Sequence, residues 1–155
     1  MNAASSSYGT YKQMQVKTAD QGSLVLMLYD GAILSLKHVQ KVMNTKPLDR
    51  ETLSEQTIKA KNIIYELAAS LDLDAGGEIA KSLLDLYGYF IWRIGRADIE
   101  KDPILLDDVL AHLQDLREAW ATVFQNARVQ QNAMPSAYIP QSAVASARPG
   151  SAIIA

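Results

Sequence analysis

Cysteine is absent from this chain, which removes disulfides, thiolate nucleophiles and cysteine-based metal sites together. That absence suits a reducing compartment. Histidine is scarce as well, His38 and His112 being the only two. A di-iron or haem bundle needs inward Glu-x-x-His pairs or axial ligands, and the residues three before these histidines are Ser35 and Val109. Both therefore read as surface or groove histidines. No Gly-rich phosphate loop, nucleophile elbow or Ser/His/Asp spacing occurs. Neither sign of charge dominates, with 15 basic against 17 acidic residues. Nothing points to nucleic acid, and no acidic block marks a solvating tail. The longest apolar run, Leu24 to Tyr29, is six residues, against about 20 for a membrane span. The segment Met1 to Tyr8 lacks the positive and apolar regions of a secretory signal. The expectation is a cytoplasmic protein that is no enzyme, with no cofactor, no metal and no membrane insertion.

What the chain does hold is apolar residues, 48% of 155, enough for one domain with a real core. Their spacing is helical. Thr18-Ala19-Asp20-Gln21 has the form of a capping box, from which a first helix runs to about Met43. Its run Leu24 to Tyr29 has strand composition, but Leu36, Val39 and Met43 continue it at steps of three and four. Pro47 and Asp49 mark a break and the next cap. A second helix then places Leu53, Thr57, Ala60, Ile64, Leu67 and Leu71 on one stripe. A third, starting near Gly77, carries Ile79, Leu83, Leu86, Phe90 and Ile94, with Ala80, Leu84, Tyr87 and Ile91 beside them. Asp102-Pro103 supplies a cap and a first-turn proline for a fourth helix. There Leu106, Val109, Leu113, Leu116, Trp120 and Val123 repeat the pattern, with Asp107 and Asp108 in the first turn and Arg128 in the last.

The predicted fold is all-α, an antiparallel four-helix bundle over residues 18–130. Residues 1–17 are expected to be a mobile N-terminal arm carrying two isolated tyrosines, Tyr8 and Tyr11. Residues 131–155 hold three of the five prolines and a single charge, Arg148, and are expected to be a disordered Pro/Ala/Ser tail.

Between the second and third helices, Asp72, Asp74 and Gly77 match positions 1, 3 and 6 of a calcium loop. Position 5 is then Gly76, which has no side-chain oxygen, and position 12, the bidentate Glu, is Leu83. Two carboxylates cannot supply the roughly six to eight oxygens calcium takes. The segment reads instead as a corner, with Asp74 as the cap, the glycine pair turning the chain and Glu78 at the positive helix end. The first and third helices are apolar over more than one stripe. Either both are central and well covered, or they line a groove for a partner helix. Tyr8 and Tyr11 are then idle, or they shield that groove.

Five blocks in order carry a resemblance: Leu24-x-x-Met27-Leu28-Tyr29-Asp30-Gly31-Ala32, Lys59-Ala60-x-x-Ile63-Ile64-x-x-Leu67, Leu71-Asp72-x-x-x-Gly76-Gly77-Glu78-Ile79-Ala80, Leu83-x-x-Leu86-Tyr87-x-Tyr89 and Ala119-Trp120. Together they resemble the flagellin export chaperone family, FliS, over residues 8–120. The resemblance implies a non-catalytic bundle that binds the disordered C-terminal segment of flagellin in the cytoplasm. It would prevent premature polymerisation and deliver that client to a flagellar type III export-gate protein. It also implies an N-terminal strap at Tyr8 and Tyr11, displaced by the client. Tyr29, Ile33, Leu84, Tyr87 and Ile91 are the expected groove residues, in a monomer or homodimer. Gly88 departs from the acidic residue usual there, and Phe90 from methionine. The alternative is a homo-oligomeric helical structural or regulatory protein with no flagellin client.

Overall fold

A computed structural model describes residues 21–133. Among them the elements are α1 (Gln21–Met43), α2 (Arg50–Ala69), α3 (Leu73–Glu100), a 3₁₀ turn (Pro103–Leu106) and α4 (Asp107–Ala133). α1 packs on α2 and on α4, and α2 packs on α3, while the 3₁₀ turn ties the end of α3 to the start of α4. The result is the predicted four-helix bundle. Tyr8, Tyr11, the Thr18 end of the capping box and nearly all of the expected tail lie outside the described residues.

An aspartate caps the start of α2, of α3 and of the 3₁₀ turn. Asp49 accepts the Thr52 amide at 3.1 Å and the Thr52 hydroxyl at 2.6 Å, satisfying donors that the first turn of α2 leaves free. At α3 the cap is Asp72, not Asp74: its carboxylate accepts the Ala75 amide at 2.9 Å. The helix therefore begins a turn early, at Leu73, and is then broken at Gly77 (φ 55, ψ −133). Only glycine adopts that backbone without strain, so Gly77 is the corner from which α3 proper departs. Asp102 caps the 3₁₀ turn by accepting the Ile104 amide at 3.0 Å. α4 itself begins only at Asp107, and it continues to Ala133, so Arg128 is not in its last turn.

The core follows the four-three stripes. Leu36 and Val39 of α1, Leu53, Ile64 and Leu67 of α2, Phe90 and Ile94 of α3, and Val109 and Leu113 of α4 are all buried. Each such side chain stabilises the fold by roughly 1.5–3 kcal/mol relative to exposure. Two predicted stripe members escape this: Ile79 is 59% exposed and Val123 is 46% exposed. α1 and α4 approach closely at Gly22, where an added Cβ would sit 2.6 Å from the Phe124 ring.

Candidate partner-binding surface

Two of the five expected groove residues are core. Tyr29 and Tyr87 are buried, and their hydroxyls meet at 2.5 Å across the bundle, from α1 to α3. Burial pushes both phenols above their ordinary pKa, so each stays neutral and the pair satisfies itself in an apolar interior. Tyrosine on an apolar stripe reads as amphipathic from sequence. The long-range pairing is what takes these two inside.

The other three do not converge. Ile33 is half-buried on the flank of α1 turned to α4, where Asp30 binds Arg117 at 2.8 Å and Gln40 binds Asp107 at 2.7 Å. Ile91 is half-buried against the core, and Leu84, one heptad earlier on the same flank of α3, is 37% exposed. That flank faces α2: the Lys61 ammonium lies 3.7 Å from where a Cβ on Gly95 would stand. Leu84 and Ile91 therefore belong to an α2–α3 seam, and Ile33 to an α1–α4 seam.

Further exposed apolar groups lie outside the four-three stripes. On the outer flank of α2, Ile58 and Tyr65 are 55% and 54% exposed. On α3, Trp92 and Ile99 are 57% and 75% exposed, and the Trp92 ring lies 6.1 Å from that of Tyr89. Both pairs are spaced by seven, a second apolar row beside the core row. That spacing was the available signal. The opposite flank of α3 carries Ile79, Leu83 and Leu86, which with Glu78 and Ser82 line a shallow open hollow of about 320 Å³. By register, Leu116 and Val123 stand on the flank of α4 that carries His112, whose ring lies 6.0 Å from Phe90 of α3.

A polar clasp closes the upper end of the α3–α4 seam. Tyr89 donates to Asp108, and Arg93 reaches the Leu105 carbonyl at 3.0 Å and Asp108 at 3.4 Å. Burial works to raise the Asp108 pKa, but the Tyr89 hydroxyl and the Arg93 guanidinium outweigh it and hold the carboxyl below its usual range. Tyr89, for its part, is pushed up by donating to that carboxylate. Asp72, Asp74 and Glu78 form no cation cage: among the described residues no group of three or more His, Asp or Glu side chains could hold a metal ion. The described surface thus offers exposed apolar rows and a shallow hollow.

Comparison with known proteins bears on these surfaces. The family model of the flagellar protein FliS matches residues 4–127. The flagellar secretion chaperone FliS of Bacillus subtilis is 33% identical over 121 residues, 78% of this chain and 88% of its own length. Its counterpart in Salmonella typhimurium is 33% identical over 127 residues, covering 79% of this chain and 93% of that protein. Flagellar secretion chaperone FliSB of Pseudomonas aeruginosa is 34% identical over 111 residues, 70% of this chain and 84% of its own.

Proposed function

The chain belongs to the FliS family of flagellar secretion chaperones, and from that premise we propose that its client is the disordered C-terminal segment of flagellin. The observation that carries this reading is α3 itself. Its core face is filled by Leu83, Phe90 and Ile94, yet it still exposes Trp92 and Ile99 on one flank and Ile79 on the other. A helix with apolar groups to spare on both flanks is suited to receive other helices.

A disordered client pays the entropy of ordering as it binds, so affinity must come from many apolar anchors spread over the bundle. The same client face cannot pack on the bundle and in a filament at once, which is how binding holds back polymerisation. Delivery to the flagellar type III export gate, from the cytoplasm, completes the role. Among the described residues no helix is long and apolar enough to cross a membrane. Tyr8 and Tyr11 act in this scheme as a strap over the apolar surface that the client displaces. The chain works by binding and carries out no catalysis.

Calorimetry with a flagellin C-terminal segment tests this. Binding at tens of micromolar or tighter, with a strongly negative heat-capacity change, is the expected result. Absence of binding, with concentration-dependent self-association instead, would favour a homo-oligomeric structural protein.

A further inference from the structure

Lys61 is the one described lysine that is half-buried rather than exposed. Among the described residues it makes no ion pair and no hydrogen bond. Its neighbours one turn away on α2 are Thr57, Ile58, Ile64 and Tyr65, so no carboxylate of its own helix stands within reach. Its ammonium lies instead across the α2–α3 seam, beside Gly95. Because the two helices run antiparallel, that register carried one turn either way brings Ile58 level with Ile99, and Tyr65 level with Trp92. An unpaired cation thus sits midway between two exposed apolar layers. The layers are seven residues apart on both helices, or roughly 10.5 Å at 1.5 Å per residue.

We propose that the α2–α3 seam is the docking surface for one amphipathic helix of the client, with apolar residues seven apart and an Asp or Glu midway between them. This rests on the client-binding role proposed above. The apolar residues would cover the Ile58/Ile99 and Tyr65/Trp92 layers. The carboxylate would pair with Lys61 in a site the helix itself shields from water, where a charged pair sets register and polarity. Gly95 keeps the floor of the seam low, since nothing but the Lys61 tip lies within 4 Å of where its Cβ would be. Lys61 also rejects helices with a basic residue at that position, which makes it a specificity element as well as an anchor.

The test uses the full-length chain and three probes: a flagellin C-terminal segment, and two designed amphipathic helices identical except for Glu or Lys midway between apolar residues seven apart. Trp92 fluorescence and calorimetry read the binding. The wild-type chain should prefer the Glu helix by about tenfold, and Lys61→Glu should reverse that preference. Trp92→Asp should weaken both the Glu helix and the flagellin segment by about tenfold or more. Equal binding of the two helices, or a preference untouched by Lys61→Glu, would overturn the inference. If the flagellin segment binds the wild-type, Lys61→Glu and Trp92→Asp chains alike, the seam is not its site, although the client role survives. If the flagellin segment fails to bind while the Glu helix keeps its Lys61-dependent preference, the client assignment falls and the seam chemistry stands. Thermal melts of both variants check folding. Should either fail to fold, the wild-type preference and its loss in high salt decide the matter.

Discussion

The hydroxyls of Tyr29 and Tyr87 lie 2.5 Å apart in the middle of the bundle, joining α1 to the diagonal helix α3. Among the described residues, each of these hydroxyls has the other as its hydrogen-bond partner. Changing either one to Phe strands a buried hydroxyl. Tyr87→Phe should therefore cost about 1–3 kcal/mol in urea denaturation. The Tyr29→Phe/Tyr87→Phe double variant should cost less than the sum of the singles, because it removes both halves of the pair. Additive losses would show that the two hydroxyls act independently.

The same pair sets a pH limit. Both phenols have pKa values raised by burial, so their contribution to stability is fully present below the unfolded-state value of about 10. It is lost as pH rises through that value toward the folded one, because only the unfolded chain can then ionise. Denaturation midpoints should fall from about pH 10 upward, more steeply for the wild type than for the double Phe variant. Equal slopes would place the alkaline titration elsewhere.

At the acid end the sensitive group is Asp108. Its carboxyl is held below the usual range, so it stabilises the fold above the unfolded-state value of about 4 and stops doing so as pH falls through the folded value. Asp108→Asn should lower stability at neutral pH and flatten the acid limb of the pH–stability curve. Because Arg93 and Tyr89 converge on this one side chain, the loss should exceed that of Asp30→Asn. The Asp30–Arg117 pair is an exposed ion pair, worth about 1 kcal/mol or less.

How much of this was legible in the sequence depends on whether a residue's fate is set locally. The stripe Leu53, Thr57, Ala60, Ile64 and Leu67 is buried as its four-three spacing demands, since period alone picks out one face. Period could not separate core from groove on α3. Tyr87 goes inside because a tyrosine 58 residues away completes it, while Ile79, on the same helix, is left out where α3 and α4 stand apart. The cap two residues earlier than expected, Asp72 in place of Asp74, turned on the positive φ of Gly77. That backbone break fixes which carboxylate meets a free amide. The exposed row of Ile58, Tyr65, Trp92 and Ile99 was legible as spacing, but only the placement of α2 against α3 makes it one surface.

The strap proposal has its own outcome. Tyr8→Ala/Tyr11→Ala should leave helicity and melting temperature unchanged and tighten client binding, because a competing segment no longer occupies the apolar surface. Circular dichroism and calorimetry read the two halves separately. A loss of helicity would make these tyrosines part of the core, and unchanged affinity would leave the strap without a role.

Two glycines of α3 offer a controlled contrast, because a Cβ at either Gly77 or Gly88 would meet nothing within 4 Å. Space therefore cannot decide the effect of alanine, and backbone conformation must. Gly88 lies in regular helix, where alanine is the better residue by about 1 kcal/mol. Gly77 holds φ 55 and ψ −133, a region that costs a residue bearing a Cβ about 1–3 kcal/mol. Gly88→Ala should raise the melting temperature and Gly77→Ala should lower it, although neither creates a clash. Added calcium should shift neither variant nor the wild type, since the Asp72 carboxylate is engaged with the Ala75 amide. A calcium-dependent rise of several degrees would restore a metal role to the corner. If instead both glycine variants are stabilised, Gly77 is not the strained hinge its backbone angles describe. The angle at which α3 leaves the corner would then have to be set by packing against α2 alone.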